Sequence, residues 1–194
     1  MRKINWWEKF RWFYSSEDVL VVGGKNAESN DDLLKNHLGK GEIVFHTEDP
    51  GSPFFVIKGY AGKKTLREAG IAAASYSQGW KKGLNKMDVM YCVSEQLGKR
   101  KGMKTGTWEV SGKRKTMNVK LEIAVGVTKE GKVIGGPVDA IRRKADKFVK
   151  LGLGGKSKDD IVKEIVKRID SDEKEIVKFV PAGKSKIIKR FLWI

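Results

Sequence analysis

Residues 43–59, IVFHTEDPGSPFFVIKG, constrain the fold more than any other stretch of the chain. Two short apolar runs, IVF and FFVI, stand on either side of a polar segment. Asp49, Pro50, Gly51 and Pro53 make that segment a turn, because proline fixes φ and glycine permits positive φ. The pattern predicts strand, loop, strand. His46, Thr47, Glu48, Asp49 and Ser52 gather in the loop, and a polar loop held between rigid strands is a usual place for function.

The remaining elements follow in order. Residues 5–22, NWWEKFRWFYSSEDVLVV, read as an aromatic hairpin with a buried second strand, aromatic core being the plainer account and base stacking the alternative, with Trp6 or Trp7 the exposed ring. Asn30 or Asp31 is placed to open a short helix through Leu33, Leu34 and Leu38, with His37 on its surface. Thr65 and Glu68 have capping-box spacing and predict a helix over residues 65–82. Its Gly, Ala and Ser content lets it lie close on a sheet. Residues 88–94, 107–110 and 116–119 read as strands, and residues 121–135 as a hairpin turning on Lys129, Glu130 and Gly131. Pro137 opens a helix carried through Ile141, Ala145 and Phe148, with LGLGG as its stop, and Ser157 caps another bearing Ile161, Ile165 and Ile169 on one face. The apolar terminal residues FLWI need cover, from the fold or from a partner. The expected fold is α+β: a mixed, mostly antiparallel sheet packed by a small-residue helix, with a C-terminal α/β extension. Residues 1–120 form the expected core domain and residues 121–194 the extension.

Charge narrows the function. Net charge is +16 and is uneven: residues 1–80 hold 11 basic and 10 acidic residues, residues 81–120 hold 11 and 3, and residues 121–194 hold 18 and 11. Half the excess therefore falls on 40 residues, the footprint of a polyanion-binding surface. Lys99, Arg100, Lys101 and Lys104 form one cluster and Lys113, Arg114 and Lys115 another, with Trp108 between them. Lys81 and Lys82 precede them. Two basic loops around a β-ribbon suit phosphate contacts with base stacking; a solvated lysine-rich surface is the bland alternative.

Other chemistry is thin. Gly155-Lys156-Ser157 and Gly183-Lys184-Ser185 lack the upstream glycine of a phosphate loop, having Lys150 and Lys178 instead. Two histidines and one cysteine offer no metal-ligand spacing, and no cofactor or metal is expected. His46, Asp49 and Ser52 are the residue types of a nucleophilic triad, but within seven residues one tight loop does not give the geometry. Cys92 lies in the apolar run MYCVS and reads as a core residue. No apolar run approaches the roughly 20 residues of a membrane span, and the N-terminus lacks a signal-peptide core. A cytoplasmic protein with no membrane contact is expected.

The motifs of residues 7–120 resemble those of a known family. WEKFRWF, then Ser15-Ser16, Val22-Gly23-Gly24, Asn30, FHTEDPGSPFFVIK, Leu66-Arg67-Glu68-Ala69 with Ala73, Tyr76 and Ser77, and finally Lys104, Gly106 and Val110 occur in the order found in the NFACT-R domain, the RNA-binding domain of NFACT proteins of ribosome-associated quality control. Pro53 stands where many members have His. The resemblance implies an RNA-binding module rather than an enzyme, in a standalone version without the family's N-terminal and coiled-coil parts. It also implies tRNA or rRNA as partner, with the ribosome as a further one, in translation, quality control or tRNA metabolism. Arg11, His46, Asp49, Gly51, Ser52, Lys58, Lys81, Lys82, Lys99, Arg100, Lys101, Lys104, Lys113, Arg114 and Lys115 are the candidate RNA contacts. An RNA-processing or RNA-modifying enzyme using the loop of residues 46–52, and a ribosome or protein adaptor using the C-terminal helices and residues 191–194, are the alternatives.

Overall fold

The computed structural model describes residues 5–49 and 51–192. A 3₁₀ turn, Trp6–Lys9, leads into the hairpin of β1 (Arg11–Tyr14) and β2 (Leu20–Gly23). Helix α1 (Ala27–Asn36) follows, then β3 (Ile43–Thr47) and β4 (Phe55–Lys58), the two strands that flank the central loop. Helices α2 (Lys63–Ser75) and α3 (Gln78–Lys81) precede β5 (Lys86–Val93). A short ribbon of β6 (Leu97–Gly98) and β7 (Glu109–Val110) leads to β8 (Lys115–Lys120). These strands form a six-stranded sheet in the order β1-β2-β4-β3-β5-β8, with every described pairing antiparallel.

The central strands are apolar on both faces because the sheet is covered on both. Phe45, Phe55 and Ile57 face α2, whose Ala69, Ala72 and Ala73 are fully buried. Gly70 lies close on the sheet: a Cβ there would stand 2.8 Å from the Met117 sulfur. Val44, Val56 and Phe54 face the other way, onto Leu33 and Leu34 of α1, Phe10 and the partly buried Trp6, Trp7, Trp12 and Trp108. The aromatic opening is therefore mostly packing, with Trp6 stacked on His37 at 4.2 Å.

Residues 121–192 build a second antiparallel sheet, β10-β9-β11-β12, from β9 (Ile123–Val127), β10 (Val133–Gly136), β11 (Lys147–Lys156) and β12 (Ser185–Leu192). Helix α4 (Val138–Lys144), the Ser157-capped α5 (Lys158–Ile169) and α6 (Glu173–Ile176) complete it. One buried cluster joins the sheets, running from Phe45, Phe55 and Val119 to Ile123, Val125, Val149, Leu151 and Ile165. The α+β expectation holds.

Several local expectations change. Helix α1 starts at Ala27, capped by Asn26 with Ser29, because Asn30 and Asp31 turn inward to other partners. Thr65 does not cap α2. Its N–H and hydroxyl both donate to Glu17, at 2.8 and 2.6 Å, while Glu68 accepts from the Ser16 N–H. The long helix breaks after Ser75, and Ser77 caps the separate α3. Helix α4 stops at Lys144, and LGLGG is strand β11, not a stop. Gly152 is glycine there because the Ile188 side chain covers it, 2.3 Å from where a Cβ would be. Of the terminal FLWI, Phe191 and Leu192 pair in β12, and residues 193 and 194 lie outside the described residues.

Candidate nucleic-acid interface

The central loop is held from within. Gly51 takes φ of 80°, which turns the chain so that Ser52 enters the core. Thr47 donates its hydroxyl hydrogen to the Ser52 oxygen at 2.5 Å. Asn30 clamps the loop from α1, donating to the Ser52 carbonyl at 3.2 Å and accepting from the Phe54 N–H at 3.1 Å. His46 Nε2 also lies 3.2 Å from the Ser52 carbonyl, and its ring stacks on Phe54 at 4.0 Å. A carbonyl only accepts, so His46 carries its proton on Nε2. Burial pushes the imidazole pKa down, against the opposing pull of that bond. The histidine is thus a neutral donor bonded to the Ser52 backbone rather than to its hydroxyl. Asp49 pairs with Lys82 at 3.0 Å, and exposed Glu48 lies 3.5 Å from Arg114, which brings both cations to the rim of this loop.

The two basic clusters leave opposite ends of the β6–β7 ribbon. At one end, Asp31 fastens the loop of residues 99–108. It accepts from Lys99 Nζ at 2.7 Å, Lys35 Nζ at 3.0 Å, the Gly106 N–H at 3.0 Å and Trp108 Nε1 at 2.9 Å. Burial pushes this carboxyl up, but the four donors outweigh it and hold the pKa far below the usual carboxylate range. Lys99 also reaches the carbonyls of Lys104 and Thr107, so its ammonium is fully engaged. Arg100 is paired with Glu109 through two nitrogens. Lys101 and Lys104 are exposed and have no ion-pair partner among the described residues.

At the other end, Gln96 accepts from the Ser111 N–H through its carbonyl and donates Nε2 to the carbonyls of Ser111 and Lys113. Gly112, at φ of 71°, makes the turn. Lys113 and Lys115 project into solvent with no carboxylate partner among the described residues, and Arg114 has a loose contact to Glu48 and donates Nη1 to the Met90 sulfur at 3.6 Å. Lys81 is likewise exposed, with no carboxylate partner among the described residues. Lys58 is not part of this surface: its ammonium is tied to Glu42 and the His37 carbonyl, both at 2.6 Å.

Arg11, His46, Gly51 and Ser52 come together elsewhere, in a cleft of about 350 Å³ between the 51–54 loop and the 105–108 segment. The sequence reading missed Lys25 and Asn26, which line it at the start of α1, and Tyr76, whose ring lies under Arg11 at 4.5 Å. Nothing in the spacing links residues 11, 25 and 76. The sequence marks Asp31 only as a candidate helix opener, because its partner Lys99 is 68 residues away.

Residues 9–112 match the NFACT protein RNA binding domain. The chain belongs to the NFACT RNA-binding domain family. The archaeal Rqc2 homolog aRqcH of Methanocaldococcus jannaschii is 32% identical over 199 residues, covering 95% of this chain and 30% of that protein. The ribosome quality control complex subunit NEMF of Homo sapiens is 41% identical over 83 residues, covering 41% of this chain and 8% of its own length. The chain therefore spans less than a third of these curated relatives. The C-terminal part of the fibronectin/fibrinogen-binding protein of Streptococcus suis superposes with a TM-score of 0.54 at 26% identity, covering 62% of this chain and 48% of that one. The archaeal match reaches well past residue 120. Much of the sequence of residues 121–194 of this NFACT chain is thus matched there.

Proposed function

We propose that this NFACT domain binds structured RNA, tRNA or rRNA, in ribosome-associated quality control in the cytoplasm, with the ribosome as the larger partner. The names of its relatives, an Rqc2 homolog and a subunit of the ribosome quality control complex, point to that setting. One observation carries the reading: four cations, Lys101, Lys104, Lys113 and Lys115, stand in solvent without carboxylate partners among the described residues. Lysines kept for solubility alone are normally interspersed with acids, and residues 81–120 hold few. Lys82 and Arg114 extend the surface at the 48–49 turn, held there by exposed pairs with Asp49 and Glu48. The role assigned is binding, with phosphates met by these side chains.

The test is titration of tRNA, an rRNA fragment and duplex DNA of equal length across a salt series. Six phosphate contacts give an affinity loss of roughly a thousandfold between 50 and 200 mM salt. RNA bound more tightly than DNA, with that slope, supports the reading. Salt-independent binding, or none, overturns it.

A further inference from the structure

Arg11 is held in place without a counter-charge. Its guanidinium lies over the Tyr76 ring at 4.5 Å, and Nη1 donates to the Lys178 carbonyl at 3.2 Å. Tyr76 is itself fixed by donating to the Phe179 carbonyl at 2.8 Å. No carboxylate reaches Arg11 among the described residues, and its Nε is buried with no partner. After burial itself, the Arg11 charge is the next largest influence lowering the Lys25 and Lys158 ammonium pKa values. A guanidinium desolvated without a carboxylate partner, as that of Arg11 is, is stabilised when an anion joins it.

The cleft that Arg11 and Lys25 enter has a matching far wall. His46 stacked on Phe54, with Pro53 and Trp108, gives it an aromatic and apolar lining, and Thr105 and Thr107 add polar groups. No Asp or Glu lines it among the described residues. Its volume of about 350 Å³ suits a small organic ligand. A cationic end and a flat aromatic wall match the two halves of a nucleotide.

We propose that this cleft receives one unpaired nucleotide of the bound RNA, its phosphate on Arg11 and Lys25 and its base against His46, Phe54 and Trp108. The inference rests on the RNA-binding reading above and adds a preference. A base inside a duplex has both faces stacked and its edge paired, so only a strand end, loop or bulge can supply the occupant.

The experiment uses the full chain and two RNA hairpins with the same stem, one blunt and one with a single-stranded 3′ overhang. The overhang RNA is expected to bind about tenfold more tightly. Arg11→Met is expected to remove that ratio, and Lys25→Ala, at an exposed position, to reduce it severalfold. Arg11→Lys, which keeps charge but not the planar fork, is expected to restore only part of it. A ratio near one in the unmodified protein overturns the proposal, as does a ratio unchanged in both Lys25→Ala and Arg11→Lys; these two variants decide the matter even where Arg11→Met does not fold. Failure of the RNA reading shows separately, as no salt-sensitive binding to either hairpin. Titration with adenosine monophosphate, adenosine and inorganic phosphate then decides. The monophosphate binding better than either fragment, and losing affinity in Lys25→Ala, supports a nucleotide site. Phosphate alone binding equally well, or no binding, overturns it.

Discussion

The loop of residues 99–108 and the turn of residues 112–114 leave opposite ends of one two-stranded ribbon, and they treat their positive charge in opposite ways. In the loop, Lys99 and Arg100 are bound to Asp31 and Glu109, and the chain is shaped around those bonds. In the turn, the backbone is shaped by Gln96 and Gly112, and the side chains of Lys113 and Lys115 take no part. A cation that builds a loop is not free for phosphate, and one left out of the architecture is. Local charge density therefore overstates the number of free cations at one end of the ribbon and matches it at the other.

The largest expected effect comes from breaking the structural end. Asp31→Asn removes the acceptor charge from four donors around a buried group and is expected to cost about 3 kcal/mol. For a chain of this size that lowers Tm by roughly 6–12 °C in thermal unfolding. RNA affinity measured well below Tm should change far less than stability does.

The triple change Lys113→Ala, Arg114→Ala, Lys115→Ala is expected to do the reverse. RNA affinity near 100 mM salt should fall more than tenfold, and the log–log salt slope should become shallower by about 2. Tm should move by no more than about 2 °C, as for exposed substitutions. A large Tm loss with unchanged affinity would break the comparison.

Acid sharpens the same contrast. Because the folded-state pKa of Asp31 is depressed, its contribution is fully present above the ordinary Asp pKa of about 4 and is lost as pH falls through the folded value. The stability gap between unmodified protein and Asp31→Asn should be constant from pH 7 to about 5 and narrow below about 4, in denaturant titrations across pH. A gap that widens on acidification contradicts the assignment. The smallest effect is expected from Lys101→Ala with Lys104→Ala, which remove the two unpaired cations of the anchored loop: affinity falls about three- to tenfold with Tm unchanged.

Much of this was legible in the residues. The apolar runs on either side of the 48–53 turn gave β3 and β4, and the Ala and Gly content of α2 gave its close seat on the sheet. Helix starts were misread where the capping group comes from afar, as Glu17 does for Thr65. LGLGG was misread because a glycine that makes room for Ile188 in a strand looks the same as one that ends a helix. The basic surface was visible as composition, but which lysines are free depends on partners such as Asp31, brought by the fold from 68 residues away. The Arg11–Tyr76 stack was hidden for the same reason.

Titration of one structured tRNA at a series of salt concentrations, with the unmodified chain and with the triple 113–115 variant in parallel, tests the central claim most directly. The free-cation account predicts steeply salt-sensitive binding that weakens more than tenfold and loses about 2 from its slope in the variant, at unchanged stability. Equal affinity and equal slope in the two proteins would contradict it.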